Sequence, residues 1–172
     1  MKTKCIKTSF ILFILFLSFN NADAQKCKYQ TKLVDPMTEE QVRRTQFKLK
    51  GFFIVSFYRK GDLYRVELNV RYIGERNFVV PEGAELNLKL PSKSILTFKA
   101  AQQATPVSYL NGSNVMTNYA ISYLCTKEQL AELSKAGFTV AQAKIGDETL
   151  TYEVKSKDVE KTAQKAKCVL EG

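Results

Sequence analysis

The sequence predicts an α+β domain in which a mainly antiparallel sheet of about six to eight strands carries two helices on one face. Polar and apolar residues alternate through Leu63–Ile73, which is typical of a strand with one buried and one solvated face. Short turns such as Arg59–Asp62 join neighbouring strands and favour antiparallel pairing. Two later segments, about 126–136 and 156–167, each carry one apolar stripe at helical spacing, and such helices must cover a sheet face.

Further strands are predicted on both sides of this one. From Thr45 to Phe57 aromatic and β-branched residues dominate, and Gly51 is interpreted as a bulge within that run. The remaining strands are predicted from alternation between turn signals, at Leu86–Leu90, Ile95–Ala101, Val115–Leu124, Phe138–Ile145 and Leu150–Val154.

Three polar segments are expected to lie outside the sheet. Residues 25–34 form a polar N-terminal segment, and Asp35–Glu40 forms a turn with Asp35 as its cap. Residues 102–114 form the longest polar loop, and long loops in compact domains tend to be functional or disordered. The candidate binding residues in this loop are Tyr109, Asn111 and Asn114.

The two helices are predicted from their capping signals as well as their spacing. Thr126 and Gln129 form a capping box, and Gly137 is a C-terminal stop for the first helix. Ser156 or Asp158 caps the second helix, which is lysine-rich on its solvated side.

The N-terminal residues fit the three-part pattern of a secretory signal peptide. Lysines precede an apolar run, Phe10–Leu17, and Ala22–Ala24 supplies small residues for cleavage after Ala24. The run is too short to span a bilayer, which needs about 20 apolar residues; an uncleaved anchor or a buried helix is the alternative. The predicted organisation is therefore a signal peptide, residues 1–24, and one exported α+β domain, residues 25–172, without a further transmembrane segment.

The charge balance indicates which partners to expect. The whole chain carries 26 Lys and Arg against 17 Asp and Glu, a net charge of +9. The leader holds three Lys and one Asp, so its removal leaves +7. Because the basic residues are spread along the chain, they do not form the stripe that is typical of nucleic-acid binding. Anionic envelope partners, such as membrane phosphates or acidic glycans, fit better.

Three cysteines remain after the leader, so at most one internal disulfide forms. Cys27 and Cys168 lie near the two ends of the predicted domain, and domain termini are often close in space. We therefore expect a Cys27–Cys168 bridge, with Cys125–Cys168 as the competing pair. Cys125 lies in an apolar stretch and is interpreted as a buried, free thiol. No CxxC spacing and no histidine is present, so no metal site is predicted.

The absence of histidine excludes Ser-His-Asp and Cys-His nucleophile systems. Cys125 at the start of a helix is a weak nucleophile candidate, and no glycine-rich phosphate loop occurs. A carboxylate pair could support glycoside hydrolysis, with candidates Glu67, Glu75, Glu82, Glu85, Glu148 and Glu153. These positions are more typical of solvated charge, so no catalytic residue and no cofactor are predicted.

A resemblance is carried by the C-terminal third of the chain. It runs from Tyr119–Ser122 through Thr126–Leu130, Leu133 and Lys144-Ile145, and it ends with Tyr152–Val154 and a Lys-rich helix that ends at Cys168. This stretch resembles small exported proteins of unknown function from Bacteroidota. The resemblance implies a bacterial envelope or extracellular origin and carries no functional residue across.

Three functions are compatible with these observations. A non-catalytic binding or interaction module of the envelope or extracellular space is favoured, because the chain is exported and basic and carries no catalytic motif. A carboxylate- or Cys-dependent hydrolase and a secreted inhibitor or immunity-type protein are the alternatives. Tyrosines could line a binding face but are interpreted as half-buried sheet residues: Tyr58, Tyr64, Tyr72, Tyr109, Tyr119, Tyr123 and Tyr152.

Overall fold

The computed structural model describes residues 27–171, so the predicted leader, residues 1–24, lies outside the described residues. The strands are β1 (Thr31–Val34), β2 (Gln41–Lys48), β3 (Phe53–Lys60), β4 (Leu63–Ile73), β5 (Glu85–Lys89), β6 (Ile95–Lys99), β7 (Val107–Asn111), β8 (Asn114–Cys125), β9 (Val140–Ile145) and β10 (Glu148–Glu153). The helices are α1 (Lys127–Ala136) and α2 (Ser156–Glu171).

The strands form two antiparallel sheets, which confirms the predicted α+β class. The larger sheet is curled and has the order β1-β2-β3-β4-β8-β7, and the smaller has the order β10-β9-β5-β6. Two isolated β-bridges occur in addition to these strand pairs. Ala100, directly after β6, pairs with Tyr123 of β8, and Val80 pairs with Ala104. The strand number exceeds the predicted six to eight because two segments that were assigned to polar coil contribute strands of their own, and because the run predicted from Thr45 to Phe57 is divided between two strands, β2 and β3.

These two segments and Gly51 are where the prediction was wrong. Thr31–Val34 pairs with β2, although residues 25–34 were predicted as a polar segment. Val107–Asn111 pairs with β8, so residues 102–114 are in large part a hairpin and not a loop. Gly51 has a φ of 67° and lies between β2 and β3, so it forms part of a hairpin turn and not a bulge within one strand.

The core lies between the apolar faces of the two sheets. Val66 and Leu68 of β4 and Leu86 and Leu88 of β5 are fully buried, as their alternation with polar residues predicts. The rings of Phe53 in β3 and Tyr152 in β10 lie 4.2 Å apart and connect the two sheets directly. The core is enriched in such aromatic residues, and they include Phe57, Phe98, Phe138, Tyr119 and Tyr123.

The helices are packed against each other and close one side of this core. The side chain of Thr126 accepts from the backbone of Gln129, and Gln129 accepts in return, so the predicted capping box is present. Helix α2 extends to Glu171, four residues beyond the prediction, and contacts β2 and β3. The hydroxyl of Thr45 in β2 donates to the carbonyl of Lys165 at 2.8 Å.

The predicted disulfide is present between Cys27 and Cys168, with Cα atoms 5.6 Å apart. The hydroxyl of Tyr29 donates to the carbonyl of Cys168 at 2.9 Å, so the first described residues are held on the end of α2. Cys125 is free, as predicted, but the residue is only partly buried, whereas a buried thiol was expected. Neither of the two described helices is long and apolar enough to span a bilayer.

Candidate functional site

The candidate site is the face of the six-stranded sheet that points away from the core. On β4 the side chains at even positions, from Tyr64 to Val70, are buried on the core side. The side chains at odd positions point to the opposite face, and they are Arg65, Glu67, Asn69 and Arg71. We call this opposite face the arginine face, after Arg44, Arg65 and Arg71, which it carries on β2 and β4.

The strand register places polar side chains in a row across the middle of the arginine face. Ser56 of β3 lies opposite Gln46 of β2 on one side and Glu67 of β4 on the other, and Glu67 lies opposite Ser122 of β8. Antiparallel neighbours are about 4.8 Å apart, so the row presents hydrogen-bonding groups at regular intervals across four strands.

A second row next to it supplies positive charge and an aromatic ring. Arg44 lies opposite Tyr58, and Tyr58 lies opposite Arg65. The guanidinium of Arg44 contacts the carboxylate of Glu67 at 2.7 Å, which links the two rows. This pair is partly exposed, so it positions both side chains more than it stabilises the fold.

Several polar atoms of this face are enclosed and have no hydrogen-bond partner among residues 27–171. Ser56 is fully buried, and its hydroxyl is one of these atoms. The others on the arginine face are Nε of Arg44, Nε of Arg65, Oδ1 of Asn118 and Oγ of Ser122. Four further atoms without partners lie on the core side of the same strands: Nε of Arg43 and the hydroxyls of Tyr64, Tyr72 and Tyr123. An unsatisfied buried polar group costs about 1–3 kcal/mol, so the five on the arginine face need a reason. Polar groups of a bound ligand would supply the missing partners.

Positive charge on the face exceeds negative charge. Arg65 and Arg71 form no ion pair among the described residues, while Glu67 is the one carboxylate that β4 contributes here. Lys60, at the edge of the same face, is different because it contacts the carboxylate of Asp35 at 2.7 Å. That hydrogen bond, with two backbone donors, lowers the pKa of Asp35 to about 2. The charge that remains for a ligand therefore comes from Arg65 and Arg71, with Lys48 at the end of β2, which also forms no ion pair among the described residues.

The predicted binding residues lie at the edge of this face, on the β7–β8 hairpin. Tyr109 lies opposite Met116 on the same side of the sheet as the arginines, and Asn111 lies opposite Asn114 next to the turn. These three residues are exposed. They are separate from the disulfide, which lies at the α2 end of the molecule.

Most of the tyrosines are structural. Tyr64, Tyr119 and Tyr123 are buried on the core side, and only Tyr58 and Tyr109 belong to the arginine face. Desolvation raises the pKa of Tyr72 to about 12, consistent with its contact with the rings of Phe78 and Tyr119. The sheet therefore uses its tyrosines mainly as core side chains with polar tips.

The carboxylate candidates are not brought together as a pair. Glu67 contacts Arg44, and the other five are exposed on strand ends and turns: Glu75, Glu82, Glu85, Glu148 and Glu153. Burial raises the pKa of the Cys125 thiol to about 12, so the thiol is protonated at neutral pH. Within residues 27–171 no group of three or more potential metal ligands is found.

A separate shallow cleft of about 430 Å³ lies where the four-stranded sheet meets the start of α2. Three of its lining side chains are valines, and the full lining is Pro91, Thr139, Val140, Glu153, Val154, Ser156 and Val159. None of the enclosed polar atoms without a partner belongs to these residues. The arginine face is therefore the stronger candidate.

The solvated side of β4 was predictable from the sequence, but the arginine face as a site was not. The alternation of Arg65, Glu67, Asn69 and Arg71 predicts a wet face, yet Arg44, Ser56 and Ser122 join it only through the register of four strands. That register depends on long-range pairing, which local patterns do not specify. No family model, curated protein or solved structure matches the chain.

Proposed function

We propose that this protein is an exported, non-catalytic binding module of the bacterial envelope or extracellular space, and that it binds acidic polysaccharide on the arginine face. The observation that carries the proposal is the cluster of enclosed polar atoms without partners on that face. Ser56, Ser122, Arg44 and Arg65 contribute four of these atoms, in two adjacent rows. Rotation of the long arginine side chains, which is fast at the surface, gives a ligand access to them.

The chemistry of the rows favours a ligand with both negative charge and hydroxyl groups. Guanidinium groups bind carboxylate and sulfate through two parallel hydrogen bonds, and Arg65 and Arg71 are not engaged by protein carboxylates in the described chain. Serine hydroxyls and the amides of Gln46 and Asn118 can both donate and accept, as sugar hydroxyls do. A flat, multi-stranded face suits an extended chain that crosses the strands.

Export is supported by two features of the chain. The N-terminal residues fit a signal peptide, and the Cys27–Cys168 disulfide fits an oxidising compartment. The acidic polysaccharides that a positive face would recognise occur outside the cytoplasm. Location and binding chemistry therefore support the same function.

The proposal predicts selective binding in a calorimetric titration of the mature protein. Dextran sulfate and polygalacturonate should bind, and neutral dextran should not. Arg65→Ala should weaken binding about tenfold or more, because hydrogen bonds to charged groups contribute about 1.5–3 kcal/mol. Lys144→Ala, which removes an exposed charge from β9 in the other sheet, is the matched control and should leave binding unchanged.

Two results would contradict the proposal. Equal losses for Arg65→Ala and Lys144→Ala would mean that only net charge matters. An increase in reducing ends during incubation with either polysaccharide would mean that the protein cleaves its ligand, and the non-catalytic assignment would be wrong.

A further inference from the structure

The free edge of β7 is the most exposed strand surface among the described residues. All five residues of β7 are exposed, with Val107 at 62% and Leu110 at 75%. On one side β7 pairs with β8, and no described strand pairs with its other side. The backbone groups along that side are therefore available to another strand.

Charged residues are a common protection of edge strands against pairing with other chains. The other three edge strands of the two sheets follow this rule: β1 carries Lys32, β6 carries Lys99, and β10 carries Glu148 and Glu153. In contrast, no residue from Ala100 to Thr126 is charged. The edge strand β7 lies within this uncharged segment and lacks that protection.

We propose that two copies of the protein pair through β7 and join their six-stranded sheets into one. With a net charge of +7 after removal of the predicted leader, two copies repel each other over most of their surface. The uncharged β7 edge is where they can approach without bringing like charges together. A charged partner would be attracted elsewhere on the molecule, because β7 offers it no ion pair.

The strand is also compatible with its own copy. In an antiparallel pair around a two-fold axis at Tyr109, Val107 lies opposite Asn111 of the second copy and Ser108 lies opposite Leu110. Tyr109 lies opposite its equivalent, and tyrosine side chains form favourable cross-strand pairs. Such a contact is self-complementary, as a two-fold interface requires. This pairing covers the exposed apolar side chains of β7. The joined sheet then ends on each side at a β1 strand, which is a protected edge.

This pairing places both arginine faces on the same side of one continuous sheet. The inference itself does not depend on the ligand, because it rests on the edge and its lack of charge. If the arginine face binds polysaccharide, pairing gives two sites for one extended chain, which raises the avidity without new contacts.

The first test is the oligomeric state of the mature protein by sedimentation velocity, up to about 500 µM because interfaces below about 1,200 Å² are usually weak. We expect a concentration-dependent dimer. Tyr109→Lys places like charges opposite each other and should abolish the dimer, while thermal stability stays close to that of the parent protein. Leu33→Lys, on the exposed side of edge strand β1, is the matched control and should leave the dimer intact.

The second test is a cysteine cross-link and reports the register directly. In a Cys125→Ala background, Tyr109→Cys should form a covalent dimer under mild oxidation, because directly opposed residues lie at the Cα distance a disulfide needs. Leu33→Cys in the same background should stay monomeric. A monomer at every concentration, or equal cross-linking of both variants, would overturn the inference.

Discussion

Unpartnered hydroxyls occur on both faces of the six-stranded sheet, but in different chemical settings. On the core side they are the tips of aromatic rings that fill the core, as for Tyr123, whereas the hydroxyl of Tyr119 donates to the carbonyl of Phe78 at 3.0 Å. On the arginine face, Ser56 and Ser122 keep hydroxyls without partners. Since stability alone favours alanine at such positions, we interpret these serines as residues kept for binding.

Tyr119 and Tyr123 form a matched pair for testing what a buried hydroxyl contributes. Both are fully buried on β8, but only the hydroxyl of Tyr119 has a partner. We expect Tyr119→Phe to lower the free energy of unfolding by about 1 kcal/mol, and Tyr123→Phe to leave it unchanged or raise it. Urea denaturation of the two variants measures the difference, and equal losses would show that the carbonyl of Phe78 does not distinguish them.

At the scale of single residues, the sequence predicted the disulfide but not the arginine face. The pairing of Cys27 with Cys168 could be predicted because their positions near the two ends of the domain can be read directly from the sequence. The neighbours of Ser56 are set by the pairing of β2, β3 and β4, and a shift of one residue would turn Ser56 into the core. The site is therefore a property of the register, which only the folded sheet defines.

Among the elements, the long strands and both helices were predictable because their signals are repeated within each segment. Leu63–Ile73 alternates over its whole length, and α1 has a cap at each end. The short strands β1 and β7 were missed because four or five residues give too few alternations to outweigh polar composition. Both lie at sheet edges, where polar residues are accepted on both faces.

The contact between α1 and α2 depends on Gly137, which ends α1 with a φ of 66° and a ψ of −165°, a conformation that is essentially restricted to glycine. A Cβ at this position would lie 2.4 Å from the carbonyl oxygen of Val159 in α2. We expect Gly137→Ala to destabilise the protein by more than about 3 kcal/mol, because strain and a backbone clash add.

Gly112→Ala is the control for this substitution. Gly112 also has a positive φ, 62°, but a Cβ there would meet no atom within 4 Å. The Gly112→Ala substitution should lower the free energy of unfolding by only about 1–2 kcal/mol, from the left-handed backbone conformation alone. Thermal unfolding of both variants gives the comparison. If the two glycines cost the same, close packing between the helices does not contribute.

At the scale of the whole molecule, the described residues 27–171 are cross-linked near their two ends. Cys27 and Cys168 are 141 residues apart, so the disulfide restricts nearly all of the unfolded chain. In the loop-entropy view such a bridge contributes about 4–5 kcal/mol, a large part of the usual stability of a domain. We expect a Cys27→Ala and Cys168→Ala double variant to unfold at a much lower urea concentration than the parent protein.

The same double variant separates stability from binding. The disulfide lies at the α2 end, and no residue of the arginine face contacts it in the described bonds. Below its unfolding temperature the variant should therefore bind acidic polysaccharide as the parent protein does. A folded variant that has lost binding would show that the N-terminal segment takes part in the site.

At the scale of the whole molecule, the two faces of the larger sheet differ: one is covered by the rest of the fold and the other carries the arginine face. The smaller sheet and the helices cover the apolar face of the larger sheet, which leaves the arginine face open across β2, β3, β4 and β8. The fold class could be predicted from alternation, since alternation is repeated over many residues; export stays a prediction from the N-terminal pattern. The arginine face depends on a few side chains from distant segments, and a pattern that is averaged over many residues does not detect them.

The most direct test of the account is an NMR titration of the isotope-labelled mature protein with a short dextran sulfate oligosaccharide. We expect the largest chemical-shift changes at the guanidinium groups of Arg44 and Arg65 and at the amides of Ser56 and Ser122, with saturation at a defined stoichiometry. Shifts that are centred on the lysines of α2, or that do not saturate, would contradict the claim that the arginine face is a binding site.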